Sequence, residues 1–445
     1  MNALKVNLVS LGCARTLVDS EVALGDLAQK GYSIVRDLGA ADVAIVNTCG
    51  FIEEAKAESI ETILRLCDMK KRGRLKAVVV LGCLAQRHGE ELRKELSEVD
   101  AIVGTNNFGD LAAVLEPLKA KQKIYKVEPK PYYLLDENTP RYQLTPGHYA
   151  YVKISEGCLN ACSYCAIPKM KGVHRSRSVE SIVAEIRSIA SSRKISEINL
   201  IGQDTAAFGY DVDKKFGLPA LLRAVQRENA VPWVRLLYAH PGHVTEEMID
   251  AIAESPSICK YIDFPVEHSH DDMLKRMNRG VDRARMLWGI DTIRKKIPSA
   301  SIRTTVIVGF PGETDEEFED LMQFLKDVRF ERLGTFQFSR EEGTRAYNME
   351  DQIPKKVSQE RYDAVMAQQR EISEELNRAA VGKPARVLID EKSPDEEGVF
   401  FGRTEADAPD VDGQVIVRSA KKLAAGDFID VMIEDALEYD LMATY

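Results

Sequence analysis

The sequence lacks any long apolar run, and this argues against a membrane-spanning protein. No stretch approaches the roughly 18 consecutive apolar residues that a transmembrane helix needs. The first residues, MNALKVNLVSLGC, contain one lysine and a short apolar run, a pattern that predicts a first strand rather than a signal peptide. Internal repeats and low-complexity segments are also missing. We therefore expect a globular protein of the cytoplasm with no membrane partner.

The sequence contains few cysteines, and its basic residues are fewer than its acidic ones, 60 against 70. The 445 residues include 8 cysteines, and the formal net charge is −10. The reducing cytosol disfavours a disulfide framework, so metal binding or catalysis becomes the leading interpretation of the cysteines. The negative charge argues against broad nucleic-acid binding and is compatible with a basic protein partner.

The pattern of apolar runs predicts three domains. From residue 5 to about 104, the runs VNLVSL, VAIVNT and AVVVLG alternate with helix-compatible stretches, which indicates a parallel α/β sheet. Six further strands with intervening helices predict an incomplete β/α barrel. A long polar helix follows, and short β runs after it predict a small all-β barrel. The predicted segments are an α/β domain at 1–127, a proline-containing linker at 128–148, the barrel at 149–376 and the β-barrel at 377–445.

Cys158, Cys162 and Cys165 form a C-x3-C-x2-C set directly after the first barrel strand. A tight loop can bring three thiolates onto one face of a 4Fe–4S cluster and leave the fourth iron open. An open iron can bind S-adenosylmethionine (SAM), whose reductive cleavage gives a 5′-deoxyadenosyl radical. The alternative is a structural zinc site that adds His174, although zinc sites usually pair C-x2-C knuckles.

Cys13, Cys49 and Cys83 form another set, which is dispersed in sequence. Because it comes earlier in the chain, we call it the first set, and we call Cys158, Cys162 and Cys165 the second set. Each cysteine of the first set follows the end of an apolar strand run by one to three residues. Because the carboxyl ends of parallel strands share one sheet edge, the three can converge on one site. The alternative is that each is a buried small apolar residue. The remaining two, Cys67 and Cys259, are expected to be bystanders.

The motifs around both sets resemble those of the radical SAM methylthiotransferases. The similar segments are KISEGCLNACSYCAIPKMKGVHRSR, SLGCARTLVDSE, VNTCGFIEEAKAES and LGCLAQR, which occur in the family's order over essentially the whole chain. Arg15, Thr16, Leu159 and Glu267 depart from residues that are common in the family.

The resemblance implies a fold, cofactors and a reaction. The fold would be a flavodoxin-like parallel α/β domain, a partial (β/α) TIM-type radical SAM barrel and a TRAM-like all-β barrel. The cofactors would be two 4Fe–4S clusters and SAM. One SAM would methylate sulfur that is held at the amino-terminal cluster. A second SAM would be cleaved to a radical that takes a hydrogen atom from a substrate carbon, and the resulting substrate radical would attack the methylated sulfur. Implied SAM contacts are Tyr164, Gly202, Gln203, Asp204, Val308 and Gly309, while no catalytic residue beyond the cluster ligands is implied.

Within the family, two substrates are open: an aspartate of small-subunit ribosomal protein twelve, either free or on the ribosome, and an adenosine of tRNA. Residues 377–445 hold fifteen acidic against eight basic residues, a net charge of −7. A tRNA-binding module needs a basic surface, whereas an acidic one attracts a basic ribosomal protein. We therefore favour the ribosomal protein, with an electron donor such as flavodoxin.

Other interpretations remain at this point. A non-enzymatic iron–sulfur or zinc protein that binds ribosomes or RNA would keep the cysteines without a SAM pocket. The basic stretch at Lys169, Lys171, His174, Arg175 and Arg177 can contact SAM or an acidic target, or it can be a solvated face. His268 and His270 follow a barrel strand and are not assigned as ligands.

Overall fold

The computed structural model describes residues 4–445, which divide into two compact units. Unit one contains the chain up to Leu144 together with Lys153–Arg177 and Ser339–Tyr347. Unit two contains Thr145–Val152, Ser178–Phe338 and Asn348–Tyr445. Both cysteine sets fall within unit one.

Unit one is built on a six-stranded parallel sheet with the order β2-β1-β3-β4-β5-β6. The order 2-1-3-4-5 is that of flavodoxin-like folds, so this part of the predicted fold class is confirmed. The elements are β1 (Lys5–Ser10), α1 (Ala14–Gln29), β2 (Ser33–Ile34), β3 (Val43–Thr48), α2 (Glu53–Lys71), β4 (Ala77–Gly82), α3 (Cys83–Glu95), β5 (Ala101–Val103), α4 (Leu111–Leu115) and β6 (Ile124–Lys126).

Helices cover both faces of this sheet, and the two central strands are buried along their whole length. Successive side chains of a strand point to opposite faces. Ile45 and Val79 therefore join one apolar core, while Val46 and Val80 join the other. Burial on both faces explains why these strands are continuous apolar runs in the sequence.

The rest of unit one has little regular structure. No helix or strand lies between Lys126 and Tyr149 in the described chain. This segment nevertheless packs on α1, because the Tyr142 amide donates to the Glu21 carbonyl at 2.8 Å and Arg141 pairs with the Glu21 carboxylate. The short elements around the second cysteine set are β8 (Ser155–Glu156), α5 (Ile167–Lys171) and β9 (Arg175–Ser176).

Unit two contains an open parallel half-barrel. Its strands pair as β11-β10-β7 and β12-β13-β14, and the Ala239 amide joins the two groups by donating to the Asp263 carbonyl at 3.0 Å. The elements are β7 (Tyr149–Lys153, whose last residue belongs to unit one), α6 (Val179–Ser192), β10 (Glu197–Ile201), α7 (Tyr210–Asp213), α8 (Leu218–Glu228), β11 (Trp233–Leu236), α9 (Glu246–Glu254), β12 (Tyr261–Asp263), α10 (Asp271–Arg276), α11 (Arg283–Lys296), β13 (Ser301–Val308), α12 (Asp315–Val328), β14 (Arg332–Gln337) and α13 (Lys355–Arg378).

The carboxyl-terminal strands close into a small barrel with the order β15-β16-β17-β19-β18. An apolar core that includes Val387, Val415 and Ile433 fills it. The sequence pattern predicted four of these strands and missed the fifth. The strands are β15 (Pro384–Lys392), β16 (Val399–Arg403), β17 (Val415–Arg418), β18 (Phe428–Ala436) and β19 (Leu441–Thr444).

An acidic loop of this barrel, residues 404–413, docks on the amino-terminal ends of the half-barrel strands. Asp407 pairs with Arg332 at 2.6 Å, and Asp412 accepts a hydrogen bond from the Tyr261 hydroxyl at 2.7 Å. Arg403, just before the loop, pairs with Glu197 at 2.8 Å. In barrels of this type the amino-terminal face supports stability and the carboxyl-terminal face carries chemistry.

The predicted α/β class with three kinds of domain is therefore confirmed. Between residues 4 and 445, no helix is long and apolar enough to cross a membrane.

Candidate metal centres

The cysteines of the first set meet at the carboxyl edge of the unit-one sheet. Cys13 caps α1, Cys49 follows β3 and Cys83 begins α3. Gly12 has φ +94°, and a Cβ there would lie 3.0 Å from the Cys49 Cβ. A Cβ at Gly50 would lie only 2.8 Å from the Leu84 amide nitrogen. Glycine therefore permits the close approach of the three loops, as the strand-end positions predicted.

The three thiols of this first set lie in different electrostatic surroundings. Enclosure by the protein raises the pKa of Cys13, but the Arg15 guanidinium, 3.5 Å from the sulfur at Nε, lowers it to about 6. Burial raises the pKa of Cys83 to about 12, despite an opposing effect of Lys171. Burial also raises the pKa of Cys49. Thiolates are the metal-binding form, so binding at this set would release protons from the two raised thiols.

The second set lies in the loop between β8 and α5. Gly157, at φ +73°, opens it, and a Cβ there would meet the Val173 carbonyl oxygen at 2.1 Å. Backbone amides point at the sulfurs: Asn160 N lies 3.4 Å from Cys158 Sγ, and Ile167 N lies 3.4 Å from Cys165 Sγ. Such N–H groups stabilise negative charge on sulfur, which suits thiolate ligands of an iron–sulfur cluster.

The spacing of the thiols bears on the zinc alternative. Tetrahedral zinc with Zn–S bonds of about 2.3 Å holds its sulfurs about 3.8 Å apart. In the described chain, the only group of three or more His, Cys, Asp or Glu ligand atoms within 4.8 Å of one another is Asp204, His240 and His243. Neither cysteine set is that tight. In an iron–sulfur cluster, by contrast, each thiolate binds a different iron.

A buried charge network joins the segments that carry the two cysteine sets. Lys153 pairs with Asp19 and, at 2.7 Å, with Glu156. Lys171 pairs with Asp19 at 2.7 Å. All four side chains are at most 7% exposed. Asp19 lies on α1, just beyond Cys13, while Lys171 ends the helix that follows Cys165.

Apolar contacts extend the same junction. Cys83 forms a buried cluster with Ala166 and Met170, so α3 packs against α5. The Thr105 hydroxyl donates to the Met170 carbonyl at 2.8 Å.

The structure changes the interpretation of the basic stretch. Lys171, His174 and Arg177 are buried. Arg177 donates to the Lys153 carbonyl at 2.8 Å, and His174 lies 3.1 Å from the Ser176 hydroxyl. A solvated positive face is therefore wrong for these three residues. Nothing in the sequence pattern alone could have separated them from exposed Lys169.

Two pairs of predicted SAM-contact residues end barrel strands in unit two. Gly202 and Gln203 follow β10, while Val308 ends β13 and Gly309 follows it at φ +73°. The Gly309 amide donates to the Glu313 carboxylate at 2.5 Å, and a Cβ there would lie 2.4 Å from Ser358 Oγ.

Asp204 and Tyr164 complete the predicted set. Tyr164 lies in unit one between Cys162 and Cys165. Asp204 is buried and accepts a hydrogen bond at 2.6 Å from His243. Burial raises the pKa of Asp204, but the bond from His243 and the nearby His240 bring it well below its ordinary value.

The two histidines that sequence reasoning left unassigned have structural partners. His268 is buried with Nε2 3.3 Å from the Glu313 carboxylate, and the His270 ring accepts the Asp272 amide at the start of α10. Cys67 and Cys259 are buried apart from both sets, as expected.

Family models match three parts of the chain: the Radical SAM superfamily at residues 152–325, the Uncharacterized protein family UPF0004 at 5–104 and the TRAM domain at 381–445. The solved structure of the radical SAM methyltransferase TsrM from Kitasatospora setae shares the fold at TM-score 0.54 and 16% identity, covering 75% of this chain and 73% of that one. OxsB, a cobalamin-dependent SAM radical enzyme, is similar at TM-score 0.54 and 12% identity, covering 83% and 56%. The fold and the cysteine loop define a radical SAM protein, a class that uses a 4Fe–4S cluster and SAM.

Comparison with curated relatives identifies the family within the radical SAM class. The chain is 48% identical over 440 residues to "Ribosomal protein uS12 methylthiotransferase RimO" of Thermoanaerobacter sp. (strain X514), covering 99% of both chains. It is 45% identical to the protein of the same name from Clostridioides difficile (strain 630), covering 99% and 98%. The chain belongs to the RimO family of radical SAM methylthiotransferases and is an enzyme of that class.

Proposed function

We propose that this enzyme adds a methylthio group to the β-carbon of an aspartate in ribosomal protein uS12. The observation that carries the proposal is the packing of two cysteine triads into one unit of a chain that matches RimO proteins over nearly their full length. Sulfur transfer to carbon needs a sulfur-carrying site close to a radical-generating site. The buried junction of Asp19, Lys153, Glu156 and Lys171 supports such an arrangement.

Each triad would hold one 4Fe–4S cluster. Cys158, Cys162 and Cys165 would bind the cluster that supplies the electron for reductive cleavage of SAM. Cys13, Cys49 and Cys83 would bind the second. Three thiolates leave one iron of a cube without a protein ligand, so each site keeps a coordination position for SAM or sulfur.

The surrounding residues of this chain would orient and shield these sites. Arg15 favours the thiolate form of Cys13, and the amides of Asn160 and Ile167 stabilise charge on Cys158 and Cys165. The apolar contact of Cys83 with Met170 keeps water from one side of the amino-terminal site.

SAM would contact Tyr164, Gly202, Gln203, Asp204, Val308 and Gly309. The positions of Gly202, Gln203, Val308 and Gly309 at the carboxyl ends of barrel strands support this assignment, because that face carries the chemistry in such folds. The domain boundaries that accompany the proposal are 1–127, 128–148, 149–376 and 377–445.

The carboxyl-terminal barrel would bind uS12. At least six of its fifteen carboxylates face the half-barrel or its flank: Asp390, Glu405, Asp407, Asp410, Asp412 and Asp427. Asp430, Glu434 and Asp435 of β18 are exposed and remain available to a basic protein. The enzyme would act in the cytoplasm, on free uS12 or on the ribosome, and take electrons from a donor such as flavodoxin.

An adenosine of tRNA is the alternative substrate. The relatives carry the name of the ribosomal protein, and exposed carboxylates on the barrel oppose binding of phosphates. Both observations favour uS12.

Mass spectrometry tests the proposal directly. The reconstituted enzyme is incubated anaerobically with SAM, reductant and either purified uS12 or tRNA. We expect a methylthio adduct on an aspartate of uS12 and 5′-deoxyadenosine as co-product. An adduct on tRNA alone would overturn the substrate, and absence of 5′-deoxyadenosine would overturn the reaction.

A further inference from the structure

The segment Ser339–Tyr347 follows the last half-barrel strand, yet it belongs to unit one. We name it the bridging segment. The Thr344 hydroxyl donates to the Glu341 carbonyl at 2.7 Å, and the Thr344 amide donates to the same oxygen at 3.2 Å. Both side chains are buried. These bonds give the segment a fixed turn with Glu341 at its base.

One end of the bridging segment lies on the radical SAM cysteine loop. The Ala346 amide donates to the carbonyl of Ser163, which stands between Cys162 and Cys165, at 2.9 Å. A Cβ at Gly343 would lie 2.3 Å from Lys169 Nζ. The segment is therefore in direct contact with this loop and with the helix that follows it.

The other end contacts the amino-terminal cysteine loops through Arg87. The Glu341 carboxylate accepts from Arg87 at 2.6 Å, and the same guanidinium nitrogen donates to the Gly50 carbonyl at 2.9 Å. Arg87 lies four residues after Cys83, one helical turn away, and Gly50 directly follows Cys49. One guanidinium thus ties two cysteine loops to Glu341.

The Arg87–Glu341 pair is shielded from water. The two side chains are only 4% and 2% exposed, and Lys56 of α2 is 3.0 Å from the same carboxylate. The Ser339 hydroxyl donates to the other carboxylate oxygen at 2.7 Å. These three donors fix the orientation of the buried Glu341 carboxylate. Removal of its negative charge would leave the buried Arg87 guanidinium without its anionic partner.

We propose that Glu341 is a positioning residue which, through Arg87, fixes the Cys49 and Cys83 loops relative to the Cys158–Cys165 loop. This inference rests on the proposed function, because it assigns the two cysteine sets to two sites that must cooperate. Glu341 touches no reacting atom. Its role is to keep SAM cleavage coupled to methylthio transfer.

The test uses full-length reconstituted Glu341→Gln, Arg87→Gln and the double variant. Glu342→Gln is the matched control, since Glu342 is the adjacent, exposed residue with the same charge change. Three quantities are measured: iron content, the electron paramagnetic resonance spectrum of each reduced cluster, and the ratio of methylthio product to 5′-deoxyadenosine. Addition of SAM perturbs one spectrum and so identifies the radical SAM cluster.

We expect Glu341→Gln to lower that ratio by about tenfold, because small misplacements of reacting groups cost one to two orders of magnitude. The spectrum of the amino-terminal cluster should change while that of the radical SAM cluster does not. The double variant should be no worse than either single variant, since both remove the same tie. Glu342→Gln should behave as wild type. Selective loss of the amino-terminal iron with normal SAM cleavage would also support the role.

An unchanged ratio and spectrum in Glu341→Gln would overturn the inference. So would additive effects in the double variant, or loss of iron from both sites with a lowered unfolding midpoint. Failure of the proposed function looks different: the wild-type enzyme would itself yield 5′-deoxyadenosine without any methylthio product, and the spectroscopic comparison would still test Glu341.

Discussion

At the scale of single residues, Arg15 and Thr16 give Cys13 its distinct chemistry. These are two of the positions where the sequence departs from residues common in the family. The Arg15 guanidinium and the Thr16 hydroxyl, the latter at 3.7 Å, both lie against the Cys13 sulfur. The departure therefore keeps two polar contacts to the Cys13 sulfur, of which the one from Arg15 favours the thiolate form.

Replacing a cysteine of the first set should separate the two halves of the reaction. We expect Cys83→Ala to abolish methylthio transfer, to retain formation of 5′-deoxyadenosine and to lower bound iron to about half, since the proposed amino-terminal cluster would lose one of its three thiolate ligands. Cys67→Ala is the control, because Cys67 is buried in the same unit but outside both sets. Iron analysis and product quantification check this, and full transfer activity in Cys83→Ala would contradict it.

Asp19 has the largest expected effect on stability among the residues of the buried network. It pairs with both Lys153 and Lys171, so Asp19→Asn leaves two buried ammonium groups with Glu156 as their only carboxylate in the network. Breaking a buried pair costs about 3–5 kcal/mol. Asp68→Asn, which breaks an exposed pair with Arg72, should cost about 0–1 kcal/mol. Urea unfolding of both variants measures the difference, and equal losses would contradict the expectation.

At the scale of elements, the carboxyl-terminal barrel is held to the half-barrel by buried charge. Glu197 begins β10, lies 2.7 Å from Arg235 of β11 and 2.8 Å from Arg403 of β16. Strands β10, β11 and β16 are mainly apolar in sequence, yet these three charged side chains form an ion-pair network in the interior. Such a network tolerates poorly the loss of any one member.

Glu197 also makes stability depend on pH. Burial raises the pKa of Glu197, but Arg403 and Arg235 bring it below its ordinary value. A carboxylate with a lowered folded-state pKa stabilises the fold above its unfolded pKa of about 4.3, and this contribution disappears as pH falls. Glu197→Gln should therefore reduce stability at pH 7 and flatten the fall in unfolding free energy below about pH 5.

Urea unfolding at a series of pH values measures this effect. Glu228→Gln, which removes a surface pair with Arg187, is the control and should leave the pH profile close to that of wild type. If the unfolding free energy of Glu197→Gln falls with decreasing pH as steeply as that of wild type, Glu197 does not contribute to the loss of stability in acid.

At the scale of the whole molecule, the negative charge is divided between interior and surface. The sequence assigns −7 of the net −10 to residues 377–445. Asp390, Asp407 and Asp412 pair with half-barrel residues or with Arg403. The surface that a partner can reach is therefore less acidic than the net charge of −7 for residues 377–445 suggests. The exposed carboxylates Asp430, Glu434 and Asp435 of β18 form one acidic patch that remains.

Neutralising that patch should weaken substrate binding. We expect the triple variant Asp430→Asn, Glu434→Gln, Asp435→Asn to raise the KM for uS12 several-fold with kcat little changed, because rim charges steer association. The wild-type KM should also rise with salt. The control carries the same charge change in unit one, at exposed Asp68, Glu90 and Glu91. Equal effects of the two triple variants on KM would contradict a specific role for β18.

The sequence by itself determined most of the architecture. Continuous apolar runs predicted the central strands of the unit-one sheet and of the half-barrel, because a strand that is buried on both faces is apolar throughout. The long polar segment after the half-barrel predicted the helix Lys355–Arg378. The apolar runs of unit one placed Cys13, Cys49 and Cys83 at one sheet edge. Short strands escaped prediction, both at sheet edges and inside sheets: Ser33–Ile34, Ala101–Val103, Ile124–Lys126 and Leu441–Thr444 are too brief to show a pattern.

Only the tertiary structure decided which charges are buried and what they hold together. Lys153 meets Asp19 across 134 residues, and Arg87 meets Glu341 across 254. Periodicity is a local property, whereas an ion pair depends on distances that exist only after the elements pack. Lys171 and exposed Lys169 are therefore indistinguishable in the sequence, and folding alone places one beside Asp19 and the other at the surface.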